Sequence, residues 1–477
     1  TVVIEATNSI LIPGTSGDGV YGAGAVTLTA GHDIRGGSSG NDITAVEADS
    51  GGVTLTAYNN IYLGESGYAD VYAYNSGNIV FNANNITLDN YTYVEAENGD
   101  VTFNAEGSIS VITRVPDEET AIYADNGSIY LSAGGNIEVL GGSYVEAAGD
   151  IEMYAEDGYI KICNSVVEAD ENVYLDAGTY INICATSEVL AGDSAYLYAY
   201  GNIEVGYVEA GSYVDMRADG KILDNNGGDM NIVTPDLVML AGSGIGTELD
   251  PIETQVSNLQ AGVLTGDINI ANTGDLNLVD LLGYPDLPFA LGAADGNINV
   301  STTEDLTISG LVEATGSVYL YALNGDIMNN NDGIDIIAGD TSGLYAGGLI
   351  GIEPDSEPWY DPIEVMIDGD LYVYAGEMYN YVSVAVDGEV SPRDMLIVNP
   401  DWGVPPGLII FNGVVQGGGE IDRWFRGTGN AIHYIGIEPY IYETLMLYII
   451  DPSFFEPAPS YWDLNQYKKA IEGLVQK

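Results

Sequence analysis

Val26-Thr-Leu-Thr-Ala30 and Val53-Thr-Leu-Thr-Ala57 open a series that decides the fold. It continues through Ile79-Val-Phe-Asn-Ala83, Val101-Thr-Phe-Asn-Ala105, Ile129-Tyr-Leu-Ser-Ala133, Ile151-Glu-Met-Tyr-Ala155, Val173-Tyr-Leu-Asp-Ala177, Ala195-Tyr-Leu-Tyr-Ala199 and Val214-Asp-Met-Arg-Ala218. The closing alanines are separated by 27, 26, 22, 28, 22, 22, 22 and 19 residues. The fourth residue before each alanine is almost always Val or Ile, and the second is Leu, Phe or Met. The positions between are mostly polar or Tyr. Strict alternation of this kind sends one set of side chains into a core and the other toward solvent, which is the signature of a half-buried strand.

Two further strands recur with the first. One carries apolar residues two apart, at Ile61/Leu63, Ile86/Leu88, Ile109/Val111, Ile137/Val139, Ile160/Ile162, Ile181/Ile183 and Ile203/Val205. Asp33, Asn60, Asn85, Asn136 and Asn202 stand just before it, where a short polar side chain tolerates a sharp corner and can bond its equivalent in the next turn. The other reads Val-Glu-Ala at 46–48, 94–96, 145–147, 167–169, 208–210 and 312–314. Three strands and three corners in roughly 22 residues predict one coil of a parallel β-helix, each coil paired to the next at ~4.8 Å. Leucine-rich repeats would need a Leu/Asn pattern with a helical side, a propeller ~40–50 residues per blade, and a sandwich has no fixed period.

The regular coils are expected over residues 1–225. Over 226–400 the alternation persists at Gly266-Asp-Ile-Asn-Ile270, Gly296-Asn-Ile-Asn-Val300, Val318-Tyr-Leu-Tyr-Ala322 and Leu371-Tyr-Val-Tyr-Ala375, with longer insertions at Leu281–Leu291 and Glu353–Pro362. Residues 401–477 read as a separate capping or assembly element, rich in aromatic residues and holding Arg423, Arg426, Lys468, Lys469 and Lys477, five of the eleven basic residues. Leu464, Tyr467, Ile471 and Leu474 fall at helical spacing and predict a short amphipathic helix there.

Composition limits the partners. The 71 Asp and Glu against 11 Lys and Arg leave a net charge of −60, which excludes nucleic acid, since phosphate binding needs clustered Lys and Arg. At 46% hydrophobic residues, with many Val, Ile and Tyr, the chain is nevertheless that of a folded protein. No apolar run approaches the ~20 residues of a membrane helix, and no basic-then-apolar leader precedes Thr1, so the chain reads as a mature, soluble product that does not span a membrane.

Gly24-Ala-Val-Thr-Leu-Thr-Ala-Gly-His-Asp-Ile34, and Gly244-Ile-Gly-Thr-Glu-Leu-Asp-Pro-Ile-Glu-Thr-Gln-Val256 leading into Gly266-Asp-Ile-Asn-Ile-Ala-Asn-Thr-Gly274, resemble the shaft of filamentous-haemagglutinin-like exoproteins of bacterial two-partner secretion systems. The resemblance covers about residues 20–380. It implies a right-handed β-helical shaft, extracellular or on the cell surface, that serves adhesion or surface structure. The family's amino-terminal secretion domain, with its Asn-Pro-Asn-Gly type signature, has no counterpart here. That departure implies a processed piece of a longer precursor or another export route.

Signals for chemistry are sparse. Parallel β-helices also carry polysaccharide lyases and hydrolases, but the Asn-Thr-Asp, Gly-His-Gly and Arg-Ile-Lys motifs of polygalacturonases are missing, and six arginines are few for a lyase. His32 occupies a corner where Asn usually sits, which suits a structural role. No nucleophile elbow, phosphate loop, zinc site or haem motif occurs, so neither a catalytic residue nor a bound cofactor is assigned. Calcium is the one candidate cation, at Asn329-Asn-Asn-Asp-Gly-Ile-Asp335 and Gly36-Gly-Ser-Ser-Gly-Asn-Asp42, although neither keeps a known calcium-loop spacing and both suit turn chemistry. Glu146 and Glu168, one coil apart, form a second acidic feature. Cys163 and Cys184 follow the matched Ile160 and Ile181 by three residues and so stack in adjacent coils, a spacing that admits either an intercoil disulfide or two free thiols.

A bare terminal coil exposes unpaired backbone groups over an apolar core, and Thr1-Val-Val-Ile-Glu-Ala-Thr-Asn-Ser-Ile-Leu-Ile12 starts as a strand with no amphipathic cap. The expected contacts of an end-to-end assembly are Val2, Ile4, Ile10 and Ile12 on one side and Trp424, Phe425, Tyr442, Leu447, Phe454, Phe455 and Trp462 on the other. The partner expected is another copy, head to tail, in a non-closing contact that builds a filament. A monomeric adhesin shaft, offering loops such as 353–361 to a glycan or receptor on a host or neighbouring cell, is the alternative, and a polysaccharide-degrading enzyme stands third.

Overall fold

The computed structural model describes residues 1–12, 19–37, 44–64, 67–115, 119–283, 289–331, 333–351, 363–368 and 371–375. Beyond these it describes the strand backbone of Val384–Val386, Asp394–Asn399, Ile409–Phe411, Val414–Gln416, Ala431–Glu438, Ile441–Tyr442 and Met446–Ile449. The chain is an all-β parallel β-helix with a distinct C-terminal strand region. It divides into two compact units, 1–234 and 235–477. The helix expected within 462–475 lies outside the described residues.

In the first unit the alternating pentapeptides form one sheet of parallel strands, from Val2–Ala6 through Val26–Ala30 and Val53–Ala57 to Tyr213–Ala218. The apolar positions meet in strict register, as in Val26↔Val53, Leu28↔Leu55 and Ala30↔Ala57. Because side chains alternate with period 2, a slip of one residue would turn every Val and Leu outward, so burial itself fixes the register. The second sheet is 10-stranded, running from Ile10–Ile12 to Ile222–Asp224. A third stacks Gly19–Gly22, Thr44–Ala48, Ala69–Ala73 and their successors to Tyr207–Ala210. Ile, Val, Leu and Phe from all three faces fill one interior, where Phe81 and Phe103 stack at 4.5 Å between ring centroids.

Corners are held by side chains acting between coils. Before the second sheet, Asn60 Nδ2 donates to Asp33 Oδ1 at 3.0 Å and Asn85 Nδ2 to Asn60 Oδ1 at 3.0 Å. The row continues with backbone donors: Ser108 N to Asn85 Oδ1, Asn136 N to Ser108 Oγ and Tyr159 N to Asn136 Oδ1. A second row precedes the first sheet, where Asp100 N donates to Asn78 Oδ1, Ser128 N to Asp100 Oδ1, Asp150 N to Ser128 Oγ and Asn172 N to Asp150 Oδ1. These bonds satisfy corner N–H groups that no strand could serve. Close stacking also explains part of the glycine content: a Cβ on Gly178 would strike the Glu156 carbonyl oxygen of the preceding coil.

The second unit uses the same construction with one long element. Ile252–Val263 runs unbroken for 12 residues and pairs in turn with Ile268–Asn272, Leu276–Leu278 and Phe289–Ala293, so a single strand here faces three that are separated by corners in the next coil. The buried Gln260 serves the insertion that follows, accepting from the N–H groups of Leu281 and Leu282 and donating to the Phe289 carbonyl at 3.0 Å. Corner carboxylates again form rows, with Asp305 N donating to Asp275 Oδ1 and Asp326 N to Asp305 Oδ1. In the last described strands the pairing turns antiparallel, Ile409–Phe411 against Val414–Gln416 and Ala431–Glu438 against Met446–Ile449.

Inward and outward positions of one strand should differ sharply in their tolerance of change. Phe103→Ala is expected to cost about 3–5 kcal/mol, through lost burial and the cavity left beside Phe81. Its outward neighbour Thr102→Ala should stay within about 0.5 kcal/mol. Urea unfolding of the two variants checks this, and equal losses would contradict the assigned faces.

Candidate functional site

The sequence-derived assembly residues are unevenly covered. Val2–Ala6 pairs among the described residues with Val26–Ala30, and Ile10–Ile12 with Ile34–Gly36. Ile4 is 37% exposed although its matched residue Leu28 is fully buried, Val3 is 59% exposed, Val2 and Ile10 are half-buried and Ile12 is buried. Tyr442 and Leu447 lie in backbone strands paired to Ile437 and His433. Trp424, Phe425, Phe454, Phe455 and Trp462 lie outside the described residues.

Cys163 and Cys184 occupy adjacent coils with Cα atoms 4.8 Å apart, and the structure pairs their sulfurs. Both are half-buried at the end of the second sheet, where Cys184 also lies 3.2 Å from Asn182 Oδ1. His32 accepts from Asn59 Nδ2 at 2.8 Å across the matching corner. Around the calcium candidate at 329–335, Asn331 N donates to Asn329 Oδ1 at 2.7 Å and Asp335 accepts from Glu364 N at 2.7 Å, so these side chains are engaged in turns and coil contacts. Of the candidate at 36–42, residues 38–42 lie outside the described residues. Among the described residues no group of three or more His, Cys, Asp or Glu could hold a metal ion, and no helix is long and apolar enough to cross a membrane.

The arginines of the first unit are spent locally. Arg35, Arg114 and Arg217 pair with Asp33, Asp89 and Asp215, and the Arg217 guanidinium also covers the Tyr198 ring at 5.5 Å. Asp89 is buried and accepts from Tyr62 as well. No arginine of the first unit is left to gather anions.

The third sheet carries an outward row that sequence inspection did not single out. Reading coil by coil, Tyr21, Glu47, Tyr72, Glu95, Tyr123 and Glu146 stand directly above one another. Tyr72 and Tyr123 each hold two glutamates apart by two coils, about 9.6 Å, where direct neighbours would repel by about 1 kcal/mol even in water. Glu146 and Glu168 break the alternation and are such neighbours. Glu146 is accordingly held above the usual carboxylate range by burial first and by Glu168 next. In the neighbouring row Asp70 is pushed up to about 6, by burial and then by Glu47. Burial and Asp49 raise Glu47, and burial and Asp125 raise Glu95.

The first sheet is different in character. Its outward positions from the second to the sixth coil are Thr27, Thr29, Thr54, Thr56, Val80, Asn82, Thr102, Asn104, Tyr130 and Ser132, with no charge among them. Where this strip meets the corner leading to the second sheet, a groove of about 880 Å³ crosses the coils from Ala30 to Ser132. The uncharged outward positions are legible in the sequence. Their union into one groove is not, because its walls come from residues 22 to 28 apart.

Two outcomes follow. Carboxylates raised above their unfolded values bind more protons in the folded state, so stability should increase as pH falls from about 7 to about 5 and decrease again as pH rises through the Asp70 value of about 6. Thermal melts across that range test the sign, and Asp70→Asn should flatten the slope. Alkylation of the native protein followed by intact mass should leave Cys163 and Cys184 unmodified until a reductant is added, whereas immediate double labelling would mean stacked free thiols.

No family model matches this chain, and no curated protein or solved structure matches it either, so what stands of the resemblance to exoprotein shafts is the parallel β-helical architecture itself.

Proposed function

We propose that this chain is a non-catalytic structural protein, an extracellular shaft whose copies stack head to tail into a surface filament. The observation that carries the reading is the stacking itself, since every described coil of the first unit from Val26–Ala30 onward presents its strands in strict register to the next. A coil contributed by another molecule can continue such a stack by the same parallel pairing, with Val, Leu and Ala meeting their equivalents as Val26, Leu28 and Ala30 meet Val53, Leu55 and Ala57. The occupant is a second copy. Its segment 401–477 supplies both apolar strands and five of the eleven basic residues, of favourable sign against acidic coils. Along the flanks the outward acids keep neighbouring shafts apart, so contact is favoured at the ends. A second reading, an adhesin shaft that holds a ligand along its side, is favoured by the nearly uncharged groove along the first sheet.

Negative-stain microscopy and sedimentation of the purified chain should find filaments of uniform width. Ile4→Asp should leave the circular dichroism spectrum unchanged and shift the population to monomers. Filaments undiminished by that substitution, or wild-type monomers at every concentration, would overturn end-to-end assembly. Raising salt from about 0.1 M to about 1 M shortens the screening length from ~10 to ~3 Å, and should add side-by-side bundling without lengthening the filaments.

A further inference from the structure

The groove along the corner between the first and second sheets is built for a particular chemistry. Its lining combines Tyr58, Asn59, Asn82, Asn84, Asn104 and a single carboxylate, Glu106. In a chain of net charge −60 this is a nearly uncharged channel. Tyr58 stands on its wall with the side chain 79% exposed, presenting an aromatic face to solvent. On its floor Asn104 Nδ2 donates to Asn82 Oδ1 at 3.0 Å. That leaves the Asn82 amide N–H groups as donors and the Asn104 carbonyl as an acceptor, one coil apart, with no partner among the described residues.

We infer that this groove binds a neutral linear polysaccharide lying along the coil axis. Carboxamides both donate and accept, which matches vicinal hydroxyls, and an exposed tyrosine ring offers an apolar plate for a sugar face. The alternatives fit less well. An anionic polymer would meet Glu106 and no cation, since no Lys or Arg lines the groove. A peptide adding as a strand would need a free edge, and the strands beneath are paired on both sides. A polymer also suits the repetition, because chemically similar groups recur at every coil.

A second concavity supports the assignment independently. At the same corner, later in the first unit, Tyr180, Asn182, Tyr200, Asn202 and Glu204 line a groove of about 600 Å³. Tyr200 directly follows Ala199 as Tyr58 directly follows Ala57, and its side chain is 62% exposed. Asn182 Nδ2 donates to Glu204 there, pairing carboxamide with carboxylate across one coil. Tyrosine, asparagine and glutamate thus recur together at one corner, as a long chain contacting several coils would require. The inference deepens the adhesin reading and does not depend on end-to-end assembly.

Affinity electrophoresis of the full chain tests it, in gels containing soluble mixed-linkage glucan, galactomannan, arabinoxylan or polygalacturonate. Retardation by at least one of the three neutral polymers is expected, and none by polygalacturonate. Tyr58→Ala should weaken the retarding interaction about tenfold, and Asn82→Ala with Asn104→Ala should weaken it further. Tyr21→Ala removes another exposed ring, 54% accessible, from the third sheet, outside the groove, and should change nothing. Circular dichroism melts accompany each variant so that an unfolded protein is not read as a lost site. Absence of retardation by every neutral polymer, preference for polygalacturonate, or an equal loss in the folded Tyr21 variant would each overturn the proposal. If filaments persist while retention is absent, only the groove assignment fails.

Discussion

Everything in this protein hangs on parallel backbone pairing between successive coils at 4.8 Å, the separation also seen between the Cα atoms of Cys163 and Cys184. At that distance every residue rests on its counterpart, and whatever a position does in one coil it must do beside a copy of itself. Apolar residues gain from the arrangement, as the stacked Phe81 and Phe103 show. Amides gain too, because one carboxamide can donate to the next. Carboxylates lose, and the surface reflects it: tyrosine is interposed between glutamates on the third sheet, and uncharged residues take over on the second to sixth coils of the first.

Much of this was legible in the sequence because the period of two and the period of one coil are both written in residue types. Val, Leu and Ala at fixed offsets gave the first sheet, Val-Glu-Ala the third, and Asn60 and Asn85 the ladder between Asp33 and Ser108. The stacking of the two cysteines followed from the same offsets.

The features that residue types do not disclose have physical reasons. Alternation implies that Asp215 points outward, yet it is buried against Arg217, near the ring of Tyr198, because large neighbours on the same face can enclose a short side chain. The corner row through Asp100 and Asp150 is hard to read from the sequence because its members alternate among Asn, Asp and Ser, which share an acceptor oxygen and little else. Ile252–Val263 spans the positions of three strands without corner residues, so no punctuation marks its divisions. The antiparallel turn of the last strands leaves no trace either, since parallel and antiparallel partners both read as apolar and polar in alternation. The groove and the tyrosine–glutamate row are products of stacking, and they emerge only when separate coils are laid side by side.

The corner rows have a sense as well as a strength. Along each row the backbone N–H groups of one coil donate to a side-chain oxygen of the coil that precedes it in the chain, from Asn85 to Tyr159 on one corner, from Asn78 to Asn172 on another, and again from Asp275 to Asp326 in the second unit, while only the long 3.5 Å contact of the Asn78 amide with Asp100 runs the other way in these rows. The arrangement is a one-way thread, with donors presented toward one pole and acceptors toward the other. Anything that continues a stack must therefore share its orientation, for an inverted neighbour would set oxygen against oxygen at one junction and N–H against N–H at the next.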